Sequence, residues 1–236
     1  MIKRLFGESL AILVTAVGLL GIIWSFNLAP VMLAACSLFV LAAGATILIV
    51  RYVQSKRPEF TIADLQKILK IHDAGGRRAT FERRMTATSN VDGLKEVWYR
   101  NVAADGTIGN IKIDGQDPAA GDVVVQLGLT DIRKSFDAPL KNGQQISVNV
   151  SYELRDSFLK DSEALIHVVN YKTKRLRLTV EFPADRPFKR AVWTELYGGA
   201  RPHTIAEFRA AQDNYRLEVE MEDPKRGGNY ELRWEW

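Results

Sequence analysis

The 236-residue sequence predicts a membrane-anchored all-β protein. Its parts are an N-terminal two-helix transmembrane hairpin, one linker helix, and an antiparallel eight-to-ten-stranded β-barrel or β-sandwich. Three observations predict this plan. The chain opens on a long uncharged run. A short segment with helical spacing follows it. The rest alternates apolar and polar residues with a period of two. The expected boundaries are 1–52 for the hairpin, 53–77 for the linker and short helix, and 78–236 for the β domain.

From Ser9 to Val50 there are 42 consecutive residues without a charge. That is too long for one bilayer crossing and suits two. Asn27-Leu28-Ala29-Pro30 divides the run, and Pro30 suits the first turn of a following helix. Helices over Ser9–Phe26 and Val31–Val50 would each span about 27–30 Å, the thickness of a hydrocarbon core. Lys3 and Arg4 precede the first helix, and Arg51, Lys56 and Arg57 follow the second, while the turn carries no charge. The positive-inside rule therefore places both termini in the cytoplasm.

Two rival readings bear on this segment. A cleaved signal peptide fits poorly, because the apolar run outlasts any h-region. Leu33-Ala34-Ala35-Cys36 resembles a lipobox at the only cysteine, but apolar residues rather than a polar tether follow it. Gly7, Ala11, Thr15 and Gly18 lie near one face of the first helix, and Gly44 sits in a small-residue cluster in the second. Small residues let helices approach closely, either within one hairpin or between copies of the chain. No ionisable residue lies inside the membrane run, which argues against a transporter or proton relay. A pore would have to come from a homo-oligomer.

Thr61 to Ala74 reads as the linker helix. Thr61 and Asp64 fit a capping box, and Ile62, Leu65, Ile68, Leu69 and His72 follow helical spacing up to Gly75-Gly76. Beyond it, clean alternation marks strands over 146–155, 175–182, 215–221 and 229–236. Further strands are expected near 80–88, 94–102, 106–114, 123–127, 164–171 and 188–197, with Asp-Gly, Asn-Gly and Gly-Gly turns between several of them. The aromatic terminal strand, ending in Trp234 and Trp236, reads as a core strand.

Charge and motif content narrow the function. Net charge is +4, yet residues 60–236 hold 27 basic and 26 acidic side chains. A surface that coats double-stranded nucleic acid is therefore not expected, whereas a local basic pocket is compatible. One cysteine excludes an intramolecular disulfide and a Cys-rich zinc site. The three histidines, His72, His167 and His203, share no metal-ligand spacing, and no His-Glu-x-x-His, Gly-x-Ser-x-Gly, Walker A or Gly-x-Gly-x-x-Gly motif occurs. No enzyme activity, metal or cofactor is expected.

Candidate ligand residues come from strand faces. Arg83 shares a face with Phe81, Met85 and Ala87; Arg100 follows Leu94 and Trp98 at period two; Arg190 stands between Phe188 and Val192. An arginine on an apolar face needs a partner, either a buried acid or a bound phosphate, unless it reaches water at a sheet edge. Trp98 and Trp193 would suit stacking on a base, or simply the core.

The succession of two short transmembrane helices, a brief linker and an antiparallel β domain resembles the two-transmembrane β-barrel, STING-like membrane effectors of bacterial cyclic-oligonucleotide (CBASS-type) anti-phage defence. It is also similar to related two-helix β effectors controlled by a nucleotide-making partner. The likeness lies in architecture and carries no residue motif. It implies a non-enzymatic effector at the bacterial inner membrane. Its β domain would bind a cyclic di- or oligonucleotide as a regulatory ligand, and its helices would oligomerise in the lipid bilayer and breach it. The alternative is a membrane-anchored β-sandwich that binds a protein partner, with no nucleotide ligand.

Overall fold

A computed structural model describes residues 58–196, 202–209 and 215–236, together with Thr46. Apart from Thr46, the expected transmembrane hairpin, with Gly7, Ala11, Thr15, Gly18 and Gly44, lies outside the described residues. Among the described residues no helix is long and apolar enough to cross a membrane. Pro58–Trp236 forms a compact unit of its own.

This unit is all-β. Its strands are β1 (Phe60–Ile71), β2 (Arg78–Ser89), β3 (Leu94–Val102), β4 (Thr107–Ile113), β5 (Val123–Gln126), β6 (Leu129–Leu140) and β7 (Gln145–Arg155). They continue with β8 (Ser162–Val168), β9 (Arg175–Glu181), β10 (Arg190–Leu196), β11 (His203–Arg209), β12 (Arg216–Glu222) and β13 (Asn229–Glu235). The pairing makes a six-stranded sheet in the order β12-β9-β1-β2-β7-β4, a four-stranded sheet β11-β10-β13-β8, and a three-stranded sheet β3-β6-β5. All three are open. One apolar core draws on all of them, with Leu65, Met85 and Val148 from the first, Trp193 and Trp234 from the second, and Tyr99 and Ile132 from the third.

The expected helix over Thr61–Ala74 is instead strand β1, at the centre of the largest sheet. It pairs antiparallel with β2 and parallel with β9, so the sheet is mixed rather than purely antiparallel. A register shift between Ile62 and Asp64 explains the helical appearance. The extra residue separates the buried Ile62 from the buried Leu65 by three positions, as a helix would. The next step, Leu65 to Leu69, is four residues and fits either period. Thirteen strands are present among the described residues where eight to ten were expected, because β1, β6 and β11 were not read as strands.

Gly76 does not cap a helix but turns the β1–β2 hairpin. Its φ is 67°, its amide donates to the carbonyl of Asp73, and the Asp73 carboxylate accepts from the amides of Arg77 and Arg78. A Cβ at Gly76 would stand 1.8 Å from the Phe158 carbonyl oxygen. The turn is therefore pressed against the segment that leads into β8. The aromatic end of the chain is core, as its alternation predicts. Trp234 and Trp236 contact Phe182 edge-on, and the Arg186 guanidinium lies 3.9 Å from the Trp236 ring.

Candidate functional site

On the inner face of the six-stranded sheet, side chains form rows across the strands. One row reads Met221, Leu176, Leu65, Met85, Val148; another reads Leu217, Val180, Leu69, Phe81, Tyr152. The row between them is Val219, Leu178, Lys67, Arg83, Val150. Two cations thus stand directly opposite each other in the middle of an otherwise apolar sheet face. Directly opposed like charges destabilise a strand pair. Nothing in the folding of the sheet requires them.

Lys67 and Arg83 line a cavity of about 970 Å³, at the upper end of the range for small-molecule sites. Its floor is β1, β2 and β7. One wall is β3 with the residues that follow it, and the other is β8. Each of these two strands is the edge of its own sheet, β3 pairing only with β6 and β8 only with β13. The cavity is therefore a slot between two strand edges that do not pair with one another. Such edges offer free backbone N–H and C=O groups.

The polar groups at the floor lack acidic partners. No carboxylate of the described residues forms an ion pair with Lys67 or Arg83. Arg83 Nε has no hydrogen-bond partner, and neither has Tyr99 Oη nor His167 Nε2. The Arg83 guanidinium lies 4.2 Å from the centre of the Tyr99 ring, which supplies cation–π attraction but no counter-charge. Lys67 Nζ donates a long, 3.4 Å hydrogen bond to the Ile166 carbonyl. Burial, with Arg83 opposite, pulls the Lys67 pKa down to about 7. Burial and then the charges of Lys67 and Arg83 hold His167 well below its ordinary value, so its ring is neutral. Burial pushes Tyr99 up to about 12, against the pull of Arg83, so its hydroxyl stays protonated. Two acids line the cavity elsewhere. Asp105 pairs with Lys160 Nζ, and Glu163 accepts from the Lys160 amide at 2.8 Å.

Three of the five ligand residues expected from the sequence border this cavity and two do not. Arg83 points inward with Phe81 and Met85, as its strand face predicts. Trp98 and Arg100 are at the border but do not point into the core. A register shift between Leu94 and Glu96 turns Val97 and Tyr99 inward instead, leaving Trp98 half-buried and Arg100 exposed. The Trp98 indole donates to Glu96 and lies between the guanidinium groups of Arg100 and Arg133, 5.6 and 5.5 Å from its centre. Arg190 is half-exposed on β10 and pairs with Glu207, while Trp193 is a core residue beside Tyr230. Neither lines the cavity. Lys67 and His167 are the residues that sequence reasoning missed. The signal for Lys67 was its place between Leu65 and Leu69 at period two, hidden by the helical reading; that for His167 was its place between Leu165 and Val169.

Among the described residues no group of three or more His, Cys, Asp or Glu side chains is arranged to hold a metal. The site is a partly open slot with two cations on its floor and aromatic and aliphatic side chains around them.

Comparison with known proteins gives no family. No family model matches the sequence, and no curated protein matches it. Among solved structures, an M1 zinc metallopeptidase from Deinococcus radiodurans aligns at a TM-score of 0.40 with 9% identity, over 75% of this chain and 42% of that one. Leukotriene A4 hydrolase from Saccharomyces cerevisiae aligns at a TM-score of 0.43 with 9% identity, over 74% and 29%. The chain thus spans less than half the length of these proteins. At such scores neither a residue role nor an activity carries over.

Proposed function

We propose that this protein is a membrane-tethered, non-enzymatic effector of the anti-phage defence type. Its β domain senses a cyclic nucleotide, and its apolar N-terminal segment oligomerises to disrupt the bacterial inner membrane. The observation that carries the sensing part is the Lys67–Arg83 pair, two cations without a carboxylate facing a ligand-sized cavity. A phosphodiester answers that arrangement, since its oxygens accept from both cations and its charge relieves their repulsion. Half-buried Trp98 at the rim is the aromatic ring a nucleobase could meet, since Tyr99 faces Arg83 and Tyr152 and Tyr171 are stacked on Phe81 and Phe60. The membrane part rests on the uncharged run from Ser9 to Val50 and its basic flanks.

A ligand shifts an effector only by binding one state better than another. The test is therefore functional as well as binding. Leakage of the inner membrane is measured in bacteria that express the full chain or a chain lacking residues 1–50, with and without a co-expressed nucleotide cyclase. The proposal expects leakage to depend both on the N-terminal segment and on the nucleotide. Identical behaviour of the two chains under both conditions overturns it. In parallel, cyclic di- and oligonucleotides are expected to raise the melting temperature of the 58–236 unit.

One observation favours a second reading, the protein-interaction module. The unpaired edges of β3 and β8 flank the slot, and an extended segment of a protein partner could add a strand there. Stabilisation of the domain by peptides but by no nucleotide would select it.

A further inference from the structure

We propose that the ligand is anchored through a phosphodiester seated against Lys67 Nζ and the Arg83 guanidinium, with Tyr99 and His167 beside it, and that it enters together with a proton. This rests on the reading of the cavity as the ligand compartment and adds the anchoring residues and the way pH controls occupancy.

The geometry comes first. Lys67 and Arg83 are direct cross-strand partners on one face, so their side chains start about 5 Å apart and project the same way. Their ends reach toward the two walls, Lys67 Nζ to the Ile166 carbonyl and the Arg83 guanidinium over Tyr99, so an anion seated on the floor between them can draw on both flexible side chains. Three of the buried side-chain atoms left without partners, on Arg83, Tyr99 and His167, line this cavity, and each can serve such an anion. Arg83 Nε and Tyr99 Oη are donors aimed at no acceptor. His167 Nε2 is buried without a partner on the opposite wall, and its ring can donate to a phosphate oxygen from that nitrogen. Arginine suits phosphate because its planar fork matches two oxygens at once.

The proton follows from what faces Lys67. From β2 it meets Arg83 and the Phe81 ring, the latter 5.9 Å away. From β8 it meets neutral His167 and the Ile166 carbonyl, and from β9 the apolar Leu178. Tyr99 on β3 and Tyr152 on β7 are held neutral by burial. Asp105 and Glu163 are engaged with Lys160, and Arg233 with Glu231. No negative charge is in contact with the ammonium, so near neutrality the empty cavity holds Lys67 partly as the free amine. An anion in contact with Nζ favours the charged form. Binding then converts amine to ammonium, the proton comes from solvent, and no covalent bond forms or breaks.

The experiment uses the full chain in phosphate-free maltoside micelles and isothermal calorimetry from pH 6.5 to 8.5, in two phosphate-free buffers of different ionisation enthalpy. The probes are cyclic di-AMP, 3′,5′-cyclic AMP and dimethyl phosphate, with phosphatidylglycerol in mixed micelles as a lipid-headgroup arm. All are phosphodiesters, whose own charge is constant over this range. The expected result is uptake of up to one proton per ligand and an affinity that falls roughly tenfold between pH 7 and pH 8.5. Lys67→Met and Arg83→Met each weaken binding at least about tenfold. Lys67→Arg keeps the charge and is expected to bind without proton uptake. Melting curves of each variant confirm folding.

Binding that is indifferent to pH, or unchanged in both methionine variants, overturns the proposal, as does failure of every diester to bind. If cyclic di-AMP triggers leakage yet binds Lys67→Met and Arg83→Met normally, the effector reading stands and this anchor falls. If dimethyl phosphate or phosphatidylglycerol binds with full dependence on Lys67 and no cyclic nucleotide does, the anchor stands and the nucleotide reading falls.

Discussion

At the scale of single residues, Lys67 sets a tension between stability and binding. A lysine in the middle of an apolar sheet face, opposite an arginine, destabilises the ligand-free fold. The sign of its pH effect follows from its shift. Its ordinary value is 10.5 and in the fold it is about 7. Between those values the unfolded chain binds a proton that the folded chain has released, so stability rises with pH through that window and is flat below it. The ligand-free domain is therefore expected to melt at higher temperature at pH 9 than at pH 7. Lys67→Met is expected to remove that slope and to raise the melting temperature at pH 7 by roughly 3–6 °C, the shift that about 1.5 kcal/mol produces in a domain of this length. Scanning calorimetry at both pH values checks this. A variant that stabilises the fold while abolishing binding separates the two roles of this side chain. His167 adds a slope of the same sign on the acid side of neutrality: its unfolded ring takes up a proton around the ordinary value of 6.5 while the buried ring stays neutral, so stability falls as pH drops through that range.

At the scale of elements, β1 shows how a strand can look like a helix. A bulge changes which residues point inward, and a bulge is a property of the pair of strands, not of one segment. The same device on β3 reverses the faces of Trp98 and Tyr99 and moves two expected ligand residues from the inward face to the cavity rim. The turn after β1 is equally constrained. At Gly76 both the positive φ and the approach of the Phe158 carbonyl forbid a side chain. Gly76→Ala is expected to cost about 2–4 kcal/mol, since it adds a steric clash to backbone strain. Urea unfolding of the 58–236 unit measures it, and a loss below about 1 kcal/mol would show that the hairpin can move away from the segment leading into β8. Because that segment feeds a cavity wall, the same substitution is expected to weaken ligand binding in molecules that remain folded.

At the scale of the whole domain, the four-stranded sheet depends on the last strand of the chain. β13 is paired on both sides, with β10 and β8, and it carries Tyr230, Leu232 and Trp234 into the core. Removing residues 234–236 deletes two buried tryptophans, each contributing about 3–5 kcal/mol by the measure of large core truncations. That rivals the total stability of a domain. The truncated domain is expected to lose its near-ultraviolet circular dichroism, and with it any ligand response. β8, which forms one wall of the cavity, is held in its sheet only through β13, so an intact C-terminus is a condition for the site.

Sequence alone settled the all-β character of residues 78–236, the positions of most strands, the core role of the C-terminal aromatics, and the inward face of Arg83. Alternation is written one residue at a time and survives any topology. It also gave the uncharged run that makes a membrane segment the expectation for the N-terminus. Tertiary structure alone decided that β1 is a central strand, that it runs parallel to β9, and that Lys67, Arg83 and His167 share a cavity. Those facts depend on bulges, strand order and the gap between two sheet edges. Each of these joins residues as many as about a hundred positions apart, and no local period records such a partnership.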